Sequence, residues 1–268
     1  MLDFTPSKYK KLLTAVQKAG YNFLTFEDYC LKYANGKDVQ AKDKIVVLRH
    51  DVDRKPKNSL KLAQIEALLG IKATYFFRIV PESNQPVYIL QIAALGHEIA
   101  YHYEDLSIAN GDVHKAYDSY VKNLEYFRQF YDVKTISMNG SPMSKFDNRD
   151  VWKEYNYKDL GIIGEPYFDF IDETVNDVNG KKFYFTDTGG MWDGDKYNVR
   201  DKAIGKNNSQ KVSVHTTLDL INFLSSNDNI DVVMINTHPQ RWIENKLLWM
   251  IEFVVQRFKN IIKWMIVK

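Results

Sequence analysis

KIVVLRHDVD, residues 44–53, decides the fold. Ile45 to Leu48 form an unbroken apolar run, the pattern of a strand buried on both faces, and such strands belong to parallel sheets covered by helices. The run ends in Arg49, His50, Asp51 and Asp53, groups that cost free energy to bury unless they are paired or bound to something. In β/α folds the working residues collect at the carboxyl ends of the strands. The stretch therefore marks a strand end and a candidate site together.

Outward from it, helix and strand patterns alternate, as parallel β/α units require. Two helices precede it, over 6–20 and 25–36, the second with Thr25 placed three residues before Asp28 as an approximate capping box. After it come a helix over 58–70, a strand over 71–80, a helix over 86–96, a strand over 97–104 and a long helix over 112–131. A strand and loop over 133–142, a short helix over 148–155, strands over 160–168 and 181–190, a helix over 216–226 and a last strand over 231–239 complete the series. Residues 187–213, rich in Gly, Asp and Asn, read as a long loop on the rim.

No Gly/Ser or Pro linker divides the 268 residues, 45% of them apolar, so one domain with a large core is expected. Lysines and arginines number 36 against 34 acids, too balanced for a nucleic-acid surface. A single cysteine, Cys30, excludes an intrachain disulfide and a thiolate-rich zinc cluster, so any metal must use His, Asp or Glu. The N-terminus lacks the apolar core of a signal peptide, which makes the cytoplasm the default expectation. The last stretch, from Trp242 onward, is broken by Glu252, Gln256, Arg257, Lys259, Asn260 and Lys263, so it does not cross a bilayer. It reads either as a helix covering the core or as a basic amphipathic helix making peripheral membrane contact.

Polar residues gather at the strand ends: His50, Asp51 and Asp53, then His102, Glu104 and Asp105, then Asn139 and Ser141, then Asp187, and finally His238 followed by Arg241 and Trp242. Asp51 and Asp53 are two apart and face one way if the strand continues. Either a cation lies between them or Arg49 or Arg54 neutralises them. Alternation in HEIAYHYE, residues 97–104, sets Glu98, Ala100, His102 and Glu104 against His97, Tyr101 and Tyr103. His102 is thus a candidate ligand, and His97, beginning the strand, a structural histidine. His238 could protonate a leaving amine or cap the backbone around it.

LRHDVD, GHEIAYHYE and NTHP, in that order, resemble the polysaccharide deacetylase (NodB-homology) family of carbohydrate esterases, whose motifs read T-F-D-D-G, then G-H-E-I-x-N-H, then L-x-x-H. The resemblance runs from Lys44 to Trp242 and implies a distorted (β/α)7-type barrel of mostly parallel strands: a helical extension over 1–43, a barrel core over 44–242 and a C-terminal helix over 243–268. It further implies a divalent metal, usually zinc, with Asp53 and His102 as ligands, Asp51 as general base and His238 as general acid. NGSP at 139–142, TDTGGMWDG, VRDK and THPQRW resemble a subgroup associated with bacterial surface-polysaccharide, including lipopolysaccharide O-antigen, biosynthesis. By that likeness Tyr103, Asp187, Trp192, Arg200 and Asp201 line the site, with His50, Asn139, Ser141 and Arg241 as further substrate contacts.

The sequence departs from the family in three places. Val52 splits the usual acid pair, Leu106 stands where a second histidine ligand is usual, and Asn139 stands where the subgroup often has His. A third ligand is expected from Glu104, with Asp105, Asn139 and His50 as alternatives, or else the metal is held weakly by two residues and several waters. The implied activity is hydrolysis of the N-acetyl, less often O-acetyl, group of a sugar, nucleotide sugar or oligosaccharide. A glycan-binding module on the same barrel and a metal-dependent hydrolase of a non-sugar amide are the alternatives.

Overall fold

In the computed structural model, which describes residues 2–33, 43–171, 181–193 and 212–267, two helices and a short strand lead into the sheet. Helix α1 (Pro6–Lys18) starts where the Thr5 hydroxyl accepts from the Lys8 N–H and Pro6 supplies a preset φ. It ends at Gly20, whose φ of +88° only glycine takes without strain. Strand β1 (Asn22–Leu24) and helix α2 (Phe26–Tyr33) follow, the Thr25 hydroxyl accepting from Asp28 N–H.

Strand β2 (Ile45–Val52) is buried along its whole length. Then come α3 (Pro56–Leu68), β3 (Thr74–Phe77), α4 (Pro86–Ala94), β4 (Glu98–Tyr103), the single turn α5 (Asp105–Ile108), α6 (Val113–Arg128) and β5 (Ile136–Met138). After two 3-10 helices, Asn148–Lys153 and Tyr157–Leu160, the chain forms α7 (Pro166–Asp169), β6 (Lys182–Thr186), α8 (Thr217–Ser226), β7 (Val232–Thr237) and α9 (Lys246–Val267). The strands pair in the order β5-β4-β3-β2-β7-β6, and β1 pairs with the first half of β2. Every pair is parallel. The sheet curls into a half-barrel surrounded by helices, an α/β fold of the distorted (β/α) barrel kind. Among the described residues its edges, β5 and β6, do not pair with each other.

This topology makes β2 the hub. Ile45 to His50 lie opposite Val232 to Thr237 of β7, and Arg49 to Val52 lie opposite Thr74 to Phe77 of β3. Alternation along β2 then sorts its polar end. Arg49 and Asp51 point to one face, toward Ser137 of β5 and Asn236 of β7. His50 points to the other, where it meets Tyr9 of α1 and Glu66 of α3.

Three sequence expectations change. Residues 160–168 do not form a strand: they contribute a single bridge, Thr135 to Gly164, and then turn into α7. Pro166 has no N–H to continue a ladder, and the Glu165 carboxylate instead accepts from the N–H groups of Tyr167 and Phe168. Strand β1, three residues long, is too short to show a period of two. Helix α9 does not cover the core. Its side toward the protein body is polar, and most of its large apolar side chains are exposed. Among the described residues no helix is long and apolar enough to cross a membrane.

Candidate active site

Asp51 lies fully buried where β2 ends, with both oxygens in use. Oδ1 accepts from Arg49 Nη2, and Oδ2 accepts from Asn236 Nδ2 at 2.8 Å. Burial alone would raise its pKa, but Arg49, and behind it His102 and His238, hold the carboxyl well below the usual carboxylate range. Arg49 is itself buried. Its Nη2 also donates to Ser137 Oγ at 2.6 Å, and its guanidinium lies 4.8 Å from the Phe76 ring centroid, a cation–π contact. Arg49 Nε and Nη1 have no hydrogen-bond partner among the described residues.

His102, at the end of β4, faces this pair. Its Nδ1 is 2.9 Å from Ser137 O, and a carbonyl can only accept, so Nδ1 carries the proton and Nε2 keeps its lone pair. Nε2 lies 4.0 Å from Asp51 Oδ2 and 3.9 Å from Asp53 Oδ1. Asp53 follows β2 in a tight turn, its N–H on Asp51 O at 3.1 Å, and Gln240 Nε2 donates to its Oδ2 at 2.9 Å. Asp53 Oδ1 and His102 Nε2 have no other partner among the described residues.

These two donors fit a dication in kind: a neutral imidazole nitrogen with its proton fixed on the far side by a carbonyl, and a carboxylate oxygen. Among the described residues no three His, Cys, Asp or Glu side chains are grouped closely enough to hold an ion. Two protein ligands are therefore the most this pair would supply.

On the β7 side stands His238. Asp187, buried at the end of β6, accepts from His238 Nδ1 at 2.6 Å and from His238 N–H at 3.0 Å. The same carboxylate accepts from Arg241 Nη1 at 2.6 Å and Trp242 Nε1 at 2.8 Å. Burial works against its charge, but Arg241 and His238 outweigh burial and lower its pKa. With Nδ1 held by an anion, Nε2 is the nitrogen of His238 left to exchange protons.

Other expected residues lie elsewhere. His50 is on the opposite face of β2, fully buried, its Nε2 2.9 Å from Glu66 Oε1, its Nδ1 2.6 Å from Thr237 Oγ1 and its ring stacked on Tyr75, so it does not reach the site. Glu104 is not a third ligand beside Asp53 and His102. Arg78 grips both its oxygens at 2.8 Å, which consumes the charge a cation would need. Tyr103 is packed edge-on to Tyr120 and Trp152 beneath α6, and Tyr101 donates to Asp105 there. Trp192 is buried against Phe4 and Trp242, its Nε1 donating to Thr217, so it offers no stacking face. Arg241 acts on Asp187. Asn139 and Ser141 do border the mouth: Asn139 Oδ1 accepts from Ser141 N–H at 2.8 Å, and both line an open groove of about 850 Å³ with Asp53, Arg78, Glu104, Met143 and Phe146. Arg200 and Asp201 lie outside the described residues.

Sequence reasoning did not find Asn236, Ser137 or Gln240, single polar side chains whose part depends on which strands are neighbours. Asn236 carries the one usable signal, a polar residue inside the apolar run VVMIN that ends in His238.

The sequence matches no family model and no curated protein. Among solved structures, a family 4 carbohydrate esterase from Bacillus anthracis aligns over 92% of this chain and 84% of its own, at 13% identity and a TM-score of 0.42.

Proposed function

We propose that this chain hydrolyses an acetyl group, N-linked in the first instance, from a sugar of a bacterial surface polysaccharide or its precursor. The observation that carries the proposal is the pair of imidazoles near Asp51. His238 is primed by Asp187 to give a proton, and His102, its proton turned away onto Ser137 O, presents a lone pair beside Asp51 and Asp53. The sugar and the surface-polysaccharide setting rest on the motif resemblance alone.

Asp53 and His102 would hold a divalent metal, zinc being the best match to one nitrogen and one carboxylate. Bound there, a dication would polarise the acyl carbonyl and acidify a water. Asp51, kept ionised by Arg49, is in the form that accepts a proton from the attacking water. Asn236 fixes the second oxygen of Asp51 and so its direction. His238, its Nδ1 held by Asp187, delivers its Nε2 proton to the departing amine. Each of these proton transfers is worth ~10²–10⁴ in rate.

The test is to incubate the protein with zinc, cobalt or chelator and a panel of acetylated nucleotide sugars, oligosaccharides and simple amides, following by mass spectrometry the loss of about 42 Da, one acetyl replaced by hydrogen. Asp51→Asn and His238→Ala should each reduce the signal at least ~10²-fold. Activity that survives both changes removes the assignment of roles. The two-ligand count favours one second reading, a glycan-binding module; sugars that bind without reacting under any metal would establish it.

A further inference from the structure

Helix α9 has its polarity reversed with respect to the body it rests on. Toward the body, Glu252 pairs with Arg54 and Lys55, Trp249 Nε1 donates to Asp3 O, and Asn260 bonds Gln256 and donates to Gly189 O. These residues share one stripe of the helix. The opposite stripe carries Leu247, Ile251, Val254, Phe258 and Ile261, all between 53% and 68% exposed, flanked by Leu248, Met250 and Val255. A helix that buries polar groups against its own domain and shows apolar groups to water has another partner for the apolar face.

Two features identify that partner. The outward residues step by four, three, four and three, the 3.5-residue period at which two helices keep one seam in contact over several turns. Their exposed side chains, with the flanking three, set an upper bound of roughly 900 Å² per copy, close to the ~800 Å² that each partner of a stable protein–protein interface buries.

We propose that α9 is a self-association element: the seam of one copy packs against the seam of a second copy of this chain about a two-fold axis. The interface is isologous, each helix supplying the same residues to the other. It is independent of the active-site assignment.

Sedimentation velocity on the full chain at micromolar concentration tests this. The wild type should sediment at twice the 31.3 kDa of one chain. Val254→Glu combined with Phe258→Glu should return it to the mass of one chain, with unchanged circular dichroism because both side chains are mostly exposed, at 63% and 68%, and with a thermal midpoint that no longer depends on protein concentration. A wild type of single-chain mass, or a dimer that survives both glutamates, overturns the proposal. So does flotation of single-chain protein with phosphatidylserine-containing vesicles that the two glutamates abolish, which would assign the face to lipid.

Discussion

At the scale of single residues, the carboxylate of Asp187 is the most heavily committed group, accepting from His238 twice, Arg241 and Trp242. If its task is to fix the Nδ1 proton of His238, then Asp187→Asn, nearly identical in shape, should lower kcat by ~10²–10⁴ with little change in KM. Steady-state kinetics on the substrate found by the acetyl-loss screen would show it; a KM effect alone would make Asp187 a binding residue. That Asp51, Asp53, His102 and His238 lie at strand ends was legible, because each falls in a short, dense motif. Their partners were not. Whether Arg49 turns toward Asp51 or His50 toward Glu66 depends on which side of β2 faces α3, and local sequence does not state that. The sequence left open whether an arginine or a cation answers the two acids; Arg49 answers Asp51, and Asp53 is left with a free oxygen.

At the scale of elements, apolar periodicity located the helices and the longer strands, because each element buries one face and repeats accordingly. It failed where tertiary contacts rule. The segment around Gly164 has the apolar content of a strand, yet pairs through one bridge and is pressed under α2, where a Cβ at 164 would collide with Cys30 Sγ and the Phe26 ring. Gly164→Ala should therefore destabilise the fold by about 1–3 kcal/mol, read as a shift in the urea midpoint at constant slope. A neutral result would mean that α2 can lift without cost. For α9 the sequence left open whether the apolar face covers the core or turns outward, and it turns outward.

At the scale of the whole molecule, buried carboxyls set the response to pH. Burial pushes Glu98 and Glu165 up to about 7, although each accepts several hydrogen bonds. A carboxyl raised from 4.5 to about 7 on folding gives stability that is fully present below 4.5 and lost as pH rises through 7, on the order of 3 kcal/mol for each group. Asp51, Asp187 and Glu66 act in the opposite sense. Their lowered values give stability that is present above the ordinary carboxylate range and lost in strong acid. Thermal midpoints should accordingly fall between pH 5 and 8, and Glu98→Gln with Glu165→Gln should flatten that slope. An unchanged slope in the double variant would assign the trend to other groups.

The partner of β2 along its first six residues is β7, from the far end of the chain. Until Val232 to Thr237 arrive, the hub strand has an open edge and Asp51 lacks the amide of Asn236. A nascent chain on the ribosome therefore carries an adhesive half-sheet through most of its synthesis, and its safe passage depends on whatever shields that edge before the last strand emerges.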